Sequence, residues 1–211
     1  KGKNGGIQDY EVGIKDITYT NKEWQVDATR FDFMSRYIDG GETKIKRLNL
    51  TAGIDVHSGN AVATLTDSID SYAQVRALHK AFTRMGKPEQ VYRDNGRDYD
   101  SCHYTDVLED MGITPINAQV GQGRQKGKIE RFFGVLQTKL ANLPGYIGND
   151  VAKRTRIEDQ TASKIDIRTS KATRIKDDRL LGSDELQLII ANVLAEMAQG
   201  YAEHAEQIIS H

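Results

Sequence analysis

Residues 24–38 read WQVDATRFDFMSRYI, a stretch rich in β-branched and aromatic side chains, which favour strands. Two more strand-like segments follow, RLNLTAGIDVHS at 47–58 and NAVATLTDSI at 60–69, and the Ser-Gly-Asn sequence where they meet is typical of a hairpin turn. The pattern predicts three consecutive strands, paired antiparallel. Asp27 lies inside the first of them, although aspartate is depleted from strand interiors.

Downstream of these strands, helical and strand-like patterns alternate. Apolar residues recur every three or four positions in the helical segments, and Gly86 and Gly112 stand where two helices are expected to end. The predicted elements are helix 71–86, strand 89–96, helix 105–112, strand 113–119, helix 128–142 and helix 184–207. This order predicts an α/β fold with a central five-stranded mixed sheet flanked by helices, in which the first three strands are antiparallel.

Two of these helices have apolar faces that we expect to be buried. The first face consists of Ile129, Phe132, Phe133, Leu136 and Leu140. The second consists of Leu186, Ile189, Ile190, Val193, Met197 and Tyr201, in a helix for which Ser183 is the predicted N-cap.

The chain divides into a terminal segment and one domain with a long excursion. Residues 1–20 are polar and glycine-rich, which predicts a linker or the end of an upstream domain. Residues 21–211 form the predicted core. Within it, 143–182 has little periodicity and much basic sequence, so we expect an extended excursion over the surface there.

The composition narrows the function classes. No apolar run in the chain reaches the roughly 18 residues that a bilayer crossing needs, so no membrane partner is expected. Cys102 is the only cysteine, which excludes an internal disulfide and a Cys-pair zinc site. The formal net charge of −1 argues against a simple nucleic-acid-binding domain, although the charge is uneven: residues 151–180 are basic and 181–211 contain no Lys or Arg.

Three carboxylates on separate elements are the main candidates for chemistry. Asp27 is mid-strand, Asp94 is at the end of the fourth predicted strand, and Glu130 is at the start of the helix after a glycine-rich loop. If the fourth strand pairs beside the first and the helix packs across that edge, the three side chains converge. Convergent carboxylates bind Mg²⁺, and two such ions about 4 Å apart support phosphoryl displacement. We therefore expect two Mg²⁺ ions, with Mn²⁺ as a substitute.

Each candidate also has a structural interpretation. Asp-Asn-Gly at 94–96 is a turn sequence in its own right, and Glu130 alone could be a surface charge at a helix start. The glycines of 121–127 do not match a phosphate-binding loop, because Gln122 and Ile129 stand where that pattern needs Gly and Ser or Thr, so no nucleotide cofactor is expected. The alternatives for the nearby polar residues are DNA contact and ordinary solvated charge. The candidate DNA-binding residues are Asn95, Arg97, Arg124, Lys126, Lys128 and Arg131.

The motifs around the three acids resemble those of a known family. VDAT around Asp27, RDNGRDY around Asp94 and KGKIERFFGVLQ around Glu130 are similar to the DDE recombinases, the retroviral-type integrases and transposases on the ribonuclease H-like fold. The 35 residues between the second and third acids match a spacing common in that family. LPGYIGND and AQGYAEHAE look like the phage Mu transposase group.

This resemblance implies a ribonuclease H-like catalytic core that nicks DNA 3′ ends and joins them to target DNA by direct transesterification. Asp27, Asp94 and Glu130 would be its catalytic metal ligands. The implied partners are element ends, target DNA and further copies of the chain in a synaptic complex, with the isolated core monomeric. A cytoplasmic, bacterial or phage-encoded protein is expected. The chain departs from integrase-like members at Gln137, where a Lys or Arg often holds the DNA end.

Two alternatives remain open on the sequence. One is a ribonuclease H-like nuclease of another branch, such as an RNA–DNA hybrid hydrolase, but those enzymes usually take an acid from the first helix, and 71–86 contains none. The other is a domesticated core that binds DNA without catalysis.

Overall fold

The computed structural model describes residues 17–66, 68–93, 102–117, 126–148, 151–152, 155, 164–166, 171–173 and 180–209. The strands are β1 (Glu23–Asp39), β2 (Glu42–Asp55), β3 (Ala61–Thr66), β4 (Gln90–Arg93), β5 (Thr114–Asn117), β6 (Lys164–Asp166) and β7 (Lys171–Thr173). The helices are α1 (Ser71–Met85), α2 (Cys102–Asp110), α3 (Gly127–Leu140) and α4 (Ser183–Ile209).

A mixed sheet in the order β3-β2-β1-β4-β5 forms the centre of the molecule. β1, β2 and β3 pair antiparallel, whereas β4 pairs parallel to β1 and β5 parallel to β4. β6 and β7 form a separate two-stranded sheet. The predicted fold class, a ribonuclease H-like α/β fold with a five-stranded mixed sheet and an antiparallel first half, is confirmed.

The hairpin of β1 and β2 is longer than the sequence pattern predicted. The second strand was expected to start at residue 47, but pairing continues to Asp39↔Glu42 around a turn at Gly40 and Gly41. Both glycines have positive φ, 59° and 81°, which suits a tight hairpin turn. The sequence pattern missed this part of β2 because ETKIK is largely polar, and Glu42 and Thr43 are exposed where they pair with the end of β1.

A bulge divides β1 into two halves with different neighbours. The pairing with β2 shifts register between Arg30 and Met34. Arg47 spans this bulge: its guanidinium donates to the Phe31 carbonyl at 2.7 Å and forms an ion pair with Asp32. Beyond the bulge, the edge of β1 that does not pair with β2 therefore faces other parts of the chain.

Both ends of the predicted excursion attach to that second half of β1. Met34 N donates to the Gly145 carbonyl at 2.8 Å, and Arg36 N donates to the Leu181 carbonyl at 3.0 Å. Gly145 has φ of 99°, and a Cβ on it would collide with the Met34 carbonyl oxygen, so a glycine is required there. Most of 149–179 lies outside the described residues.

Two layers of apolar side chains cover opposite faces of the sheet, because successive strand residues alternate between faces. α3 and α4 pack on the face that carries Leu50, Ala52 and Ile54 of β2. The other face carries Trp24 and Val26 of β1 and packs against α1 and α2. The predicted apolar face of α3 is confirmed, since each of its five residues is buried.

α4 begins at Ser183 and ends at Ile209, slightly beyond the predicted 184–207. Leu186 and Ile190 are fully buried, and the other predicted apolar residues as far as Met197 pack against the same core at partial exposure. The prediction for Tyr201 is wrong: this side chain is 47% exposed and lies beside the turn at Gly59. Among the described residues, no helix combines the length and hydrophobicity needed to cross a membrane.

Candidate active site

Asp27 lies on the face of β1 that α3 covers. It pairs with Ala52 of β2, two positions beyond the last pair between β1 and β4, Gln25↔Tyr92. Its Oδ1 accepts a hydrogen bond from Ala28 N at 2.9 Å, and the side chain is 25% exposed. The carboxylate is therefore held on the sheet but can still be reached from solvent.

The first turn of α3 is fixed to this face by a buried side chain. Gln25 Oε1 accepts a hydrogen bond from Ile129 N at 3.1 Å. The first N–H groups of a helix have no partner within the helix, so this contact satisfies one of them. Gln25 and Asp27 share a face of β1, since they are two residues apart. The bond therefore holds the start of α3 beside Asp27.

Lys126 forms a second contact between α3 and β1. It directly precedes the helix and is 7% exposed, and its Nζ lies 3.4 Å from Asp27 Oδ2. Lysine is seldom buried without a partner. The predicted role of Lys126 was a DNA contact, whereas in this structure its ammonium group forms an ion pair with Asp27.

Glu130 is in the first turn of α3 and is exposed, four positions after Lys126. The positive end of the helix dipole favours an acid at this place. Lys128 Nζ donates a hydrogen bond to the Val56 carbonyl, and Arg131 is exposed. The structure thus brings Asp27, Lys126 and the turn that carries Glu130 into one region.

The remaining predicted site residues cannot be placed. Asp94, Asn95, Arg97 and Arg124 lie outside the described residues. Within the described part of the chain, no group of three or more His, Cys, Asp or Glu side chains is arranged to hold a metal ion. The complete set of three carboxylates therefore stays a prediction.

The end of β4, one residue before Asp94, is tightly anchored. Arg93 is 3% exposed, and its guanidinium donates to Asn117 Oδ1 at 2.7 Å and to Thr105 Oγ1 at 3.1 Å. The guanidinium also lies over the ring of Tyr104, and burial raises the pKa of that phenol well above its ordinary value. Tyr104 therefore stays protonated, and Arg93 ties the end of β4 to β5 and α2.

Sequence reasoning did not identify Gln25 or Arg93 as residues that support the site. The signal for Gln25 was available, because a polar residue two positions before Asp27 must share its face of the strand. Arg93 carried no comparable signal, since its partners are 12 and 24 residues away along the chain.

The chain is similar in sequence to a transposase and to a family of transposase-related domains. Residues 69–145 match the family model of the TnsB C-terminal domain. The transposase of transposon Tn552 from Staphylococcus aureus is 37% identical over 151 residues, which is 66% of this chain and 31% of that protein. An uncharacterised protein of Caenorhabditis elegans is 28% identical over 92 residues, 44% of this chain and 7% of that protein. The chain thus spans about a third or less of these relatives.

Solved structures of retroviral integrases are also similar. The catalytic core domain of BIV integrase is 14% identical, with a TM-score of 0.47 over 82% of this chain and 97% of that chain. The HTLV-2 integrase catalytic core domain in complex with magnesium, in its trimeric form, is 19% identical, with a TM-score of 0.43 over 72% of this chain and 93% of that chain.

The narrower prediction, the phage Mu transposase group, stays a prediction. The broader one is confirmed by the TnsB family model and by the Tn552 transposase. The observed sheet order and the motif around Glu130 agree with it. The chain thus resembles the DDE transposases and integrases in sequence.

Proposed function

We propose that the chain is the catalytic core of a DNA transposase that nicks DNA 3′ ends and joins them to target DNA by direct transesterification. The observation that carries this proposal is the docking of the first turn of α3 onto the face of β1 that bears Asp27, through Gln25 and Lys126. Two of the three predicted carboxylates belong to these two elements. The similarity to a transposase over 66% of the chain supports the same reaction class.

The described donors fit a divalent metal site. Asp27 is a partly exposed carboxylate that already attracts a cation, the Lys126 ammonium, and Glu130 is an exposed carboxylate on the adjoining turn. Asp27, Asp94 and Glu130 would hold two Mg²⁺ ions, for which Mn²⁺ would substitute. When bound, the ions supply charge stabilisation for the attacking and leaving oxygens of a phosphodiester displacement.

The chain's own residues supply the alignment of this site. Gln25 fixes the position of Glu130 relative to the sheet, because Gln25 binds the backbone N–H of Ile129, the residue before Glu130. Arg93 fixes the end of the strand that leads into Asp94. The first turn of α3 and the end of β4 are thus each tied to a neighbouring strand by a side-chain hydrogen bond. No Ser or Tyr nucleophile is needed, because the attacking group is water or a DNA 3′ hydroxyl.

Basic residues near the same turn would contact the DNA backbone. Lys128 and Arg131 are exposed on α3, on either side of Glu130. Contacts from Lys and Arg to phosphates position DNA without reading its sequence. Asn95, Arg97 and Arg124 would join them. The DNA ends and the target would be held by a homo-oligomer, as a reaction on paired ends requires.

A strand-transfer assay of the full-length protein on candidate element ends tests this function. Joined product is expected with Mg²⁺ or Mn²⁺ and not with EDTA. Asp27→Asn, Asp94→Asn and Glu130→Gln should each abolish joining. Asp94→Asn and Glu130→Gln should leave the thermal midpoint of unfolding near that of the wild type, whereas Asp27→Asn should lower it, because it removes the charge that pairs with the largely buried Lys126. Asp106→Asn is the matched control, because Asp106 is an exposed acid on α2, which packs on the face of the sheet opposite α3.

The outcomes separate the proposal from its alternatives. Mg²⁺-dependent joining by Asp94→Asn would overturn the assignment of the three acids. Cleavage of RNA–DNA hybrids without joining of DNA ends would indicate a nuclease of another branch. DNA binding without cleavage or metal binding would indicate a non-catalytic core.

A further inference from the structure

The ion pair between Lys126 and Asp27 stands where the proposed function requires a metal ion. Lys126 Nζ is 3.4 Å from Asp27 Oδ2, while Oδ1 accepts the backbone N–H of Ala28. The lysine is 7% exposed, so its ammonium group is largely withdrawn from water. Its position is fixed by the docking of the adjoining helix turn through Gln25.

A buried ammonium group and a divalent cation compete for the same carboxylate. Like charges a few ångströms apart repel strongly where little water screens them. An ion that binds Asp27 Oδ2 must therefore either accept the nearby ammonium or move it away. Lysine has four rotatable side-chain bonds, and Lys126 precedes the helix proper, so the side chain can leave without unfolding a helical turn.

We propose that Lys126 is an internal counter-ion of Asp27, which it neutralises in the metal-free protein and leaves when a divalent ion binds. This inference rests on the proposed function, since it takes Asp27 to be a metal ligand. The displaced ammonium group would then be available at the mouth of the site to contact the DNA phosphate. Lys126 is a positioning residue in this account: it keeps the metal-free carboxylate in place and sets the affinity for the ion.

Direct metal binding tests the inference without any reaction. Mn²⁺ binding to the chain is measured by electron paramagnetic resonance or calorimetry for the wild type, Lys126→Met and Lys128→Met. Lys126→Met should bind Mn²⁺ on the order of tenfold more tightly, because the competing cation is gone. Lys128→Met is the matched control: it removes the same charge two residues away, from an ammonium group that bonds to the Val56 carbonyl.

The Lys126→Met substitution should tighten Mn²⁺ binding but destabilise the metal-free protein. In EDTA, Lys126→Met should lower the thermal midpoint of unfolding, because Asp27 loses its counter-charge. Saturating Mn²⁺ should then raise the midpoint more in this variant than in the wild type, since a tighter ligand stabilises the folded state more. A merely structural role for Lys126 would lower the midpoint in both conditions and would not tighten Mn²⁺ binding.

The outcomes distinguish this inference from the proposed function. If Mn²⁺ binds and Asp27→Asn weakens that binding, but Lys126→Met does not tighten it, the counter-ion inference is overturned and the metal site stands. Equal tightening by Lys126→Met and Lys128→Met would also overturn it, since a general loss of positive charge would then explain both. If Asp27→Asn leaves Mn²⁺ binding unchanged, Asp27 is not a ligand and both proposals fail.

Discussion

Replacing Gln25 with methionine tests how the site is assembled. Methionine has a similar length and shape but offers no amide oxygen to Ile129 N, and Ile129 is 0% exposed. A buried N–H left without a partner costs about 1–3 kcal/mol. For a protein of this size each kcal/mol lowers the thermal midpoint by about 2–4 °C. Gln25→Met should therefore lower the midpoint by about 2–12 °C.

The single tryptophan provides the assay. Trp24 is 0% exposed and is the only tryptophan in the chain, so its fluorescence reports exposure of the core during urea or thermal unfolding. The urea midpoint should fall with an unchanged slope, as expected when stability changes and the surface exposed on unfolding does not. Mn²⁺ affinity should fall as well, because Gln25 holds the turn that carries Glu130.

A matched substitution on the same helix controls for the chemistry of the change. Gln137→Met alters a partly exposed glutamine in the last turn of α3 and should change stability by no more than about 0.5 kcal/mol. The reasoning is refuted if Gln25→Met is as stable as the wild type, or if both variants lose the same amount.

Four further substitutions have outcomes that follow from the fold. Gly145→Ala should lower the free energy of unfolding by about 1–3 kcal/mol or more, because φ is positive there and the Cβ would collide with backbone. Gly134→Ala, with open space around it in α3, should raise the free energy of unfolding by about 0.5–1 kcal/mol. Urea unfolding measures both variants. Leu136→Ala, at a fully buried position, should cost about 2–5 kcal/mol in the same assay. Asp70→Ala should lower the thermal midpoint at neutral pH, since Asp70 caps α1, and the deficit should shrink as the pH falls below the ordinary pKa of aspartate. The hydrogen bond from Ser68 is the main cause of the lowered pKa of Asp70. Because the pKa is lower in the folded state, the stabilisation is present above the unfolded-state pKa and is lost as pH falls through the folded-state pKa. An equal deficit at all pH values would contradict this.

The sequence predicted most helices and strands because their residue types and apolar spacing are local features. The spacing of Ile129, Phe132 and Leu136 predicts the buried face of α3, and the structure confirms it. The abundance of β-branched and aromatic residues likewise predicts β1, and a strand-like segment at 60–69 predicts β3. The start of β2 at Glu42 was missed, because its polar residues are held by pairing with β1 rather than by burial.

The site depends on contacts that no local pattern encodes. Asp27 and Glu130 were identified from residue type and motif, but the bond from Gln25 to Ile129 joins residues 104 positions apart. The ion pair joins Lys126 to Asp27, 99 positions away along the chain, and no sequence pattern indicated it; the DNA contact expected of Lys126 stays a prediction. The candidate carboxylates could thus be identified from the sequence, whereas the residues that position them could be identified only from the structure.

Anomalous diffraction from a crystal of the chain soaked in Mn²⁺ tests the central claim most directly. The account predicts two Mn²⁺ peaks about 4 Å apart, bound by the carboxylates of Asp27, Asp94 and Glu130, with the Lys126 ammonium withdrawn from Asp27. Mn²⁺ bound elsewhere, with the three carboxylates directed to separate surfaces, would contradict it.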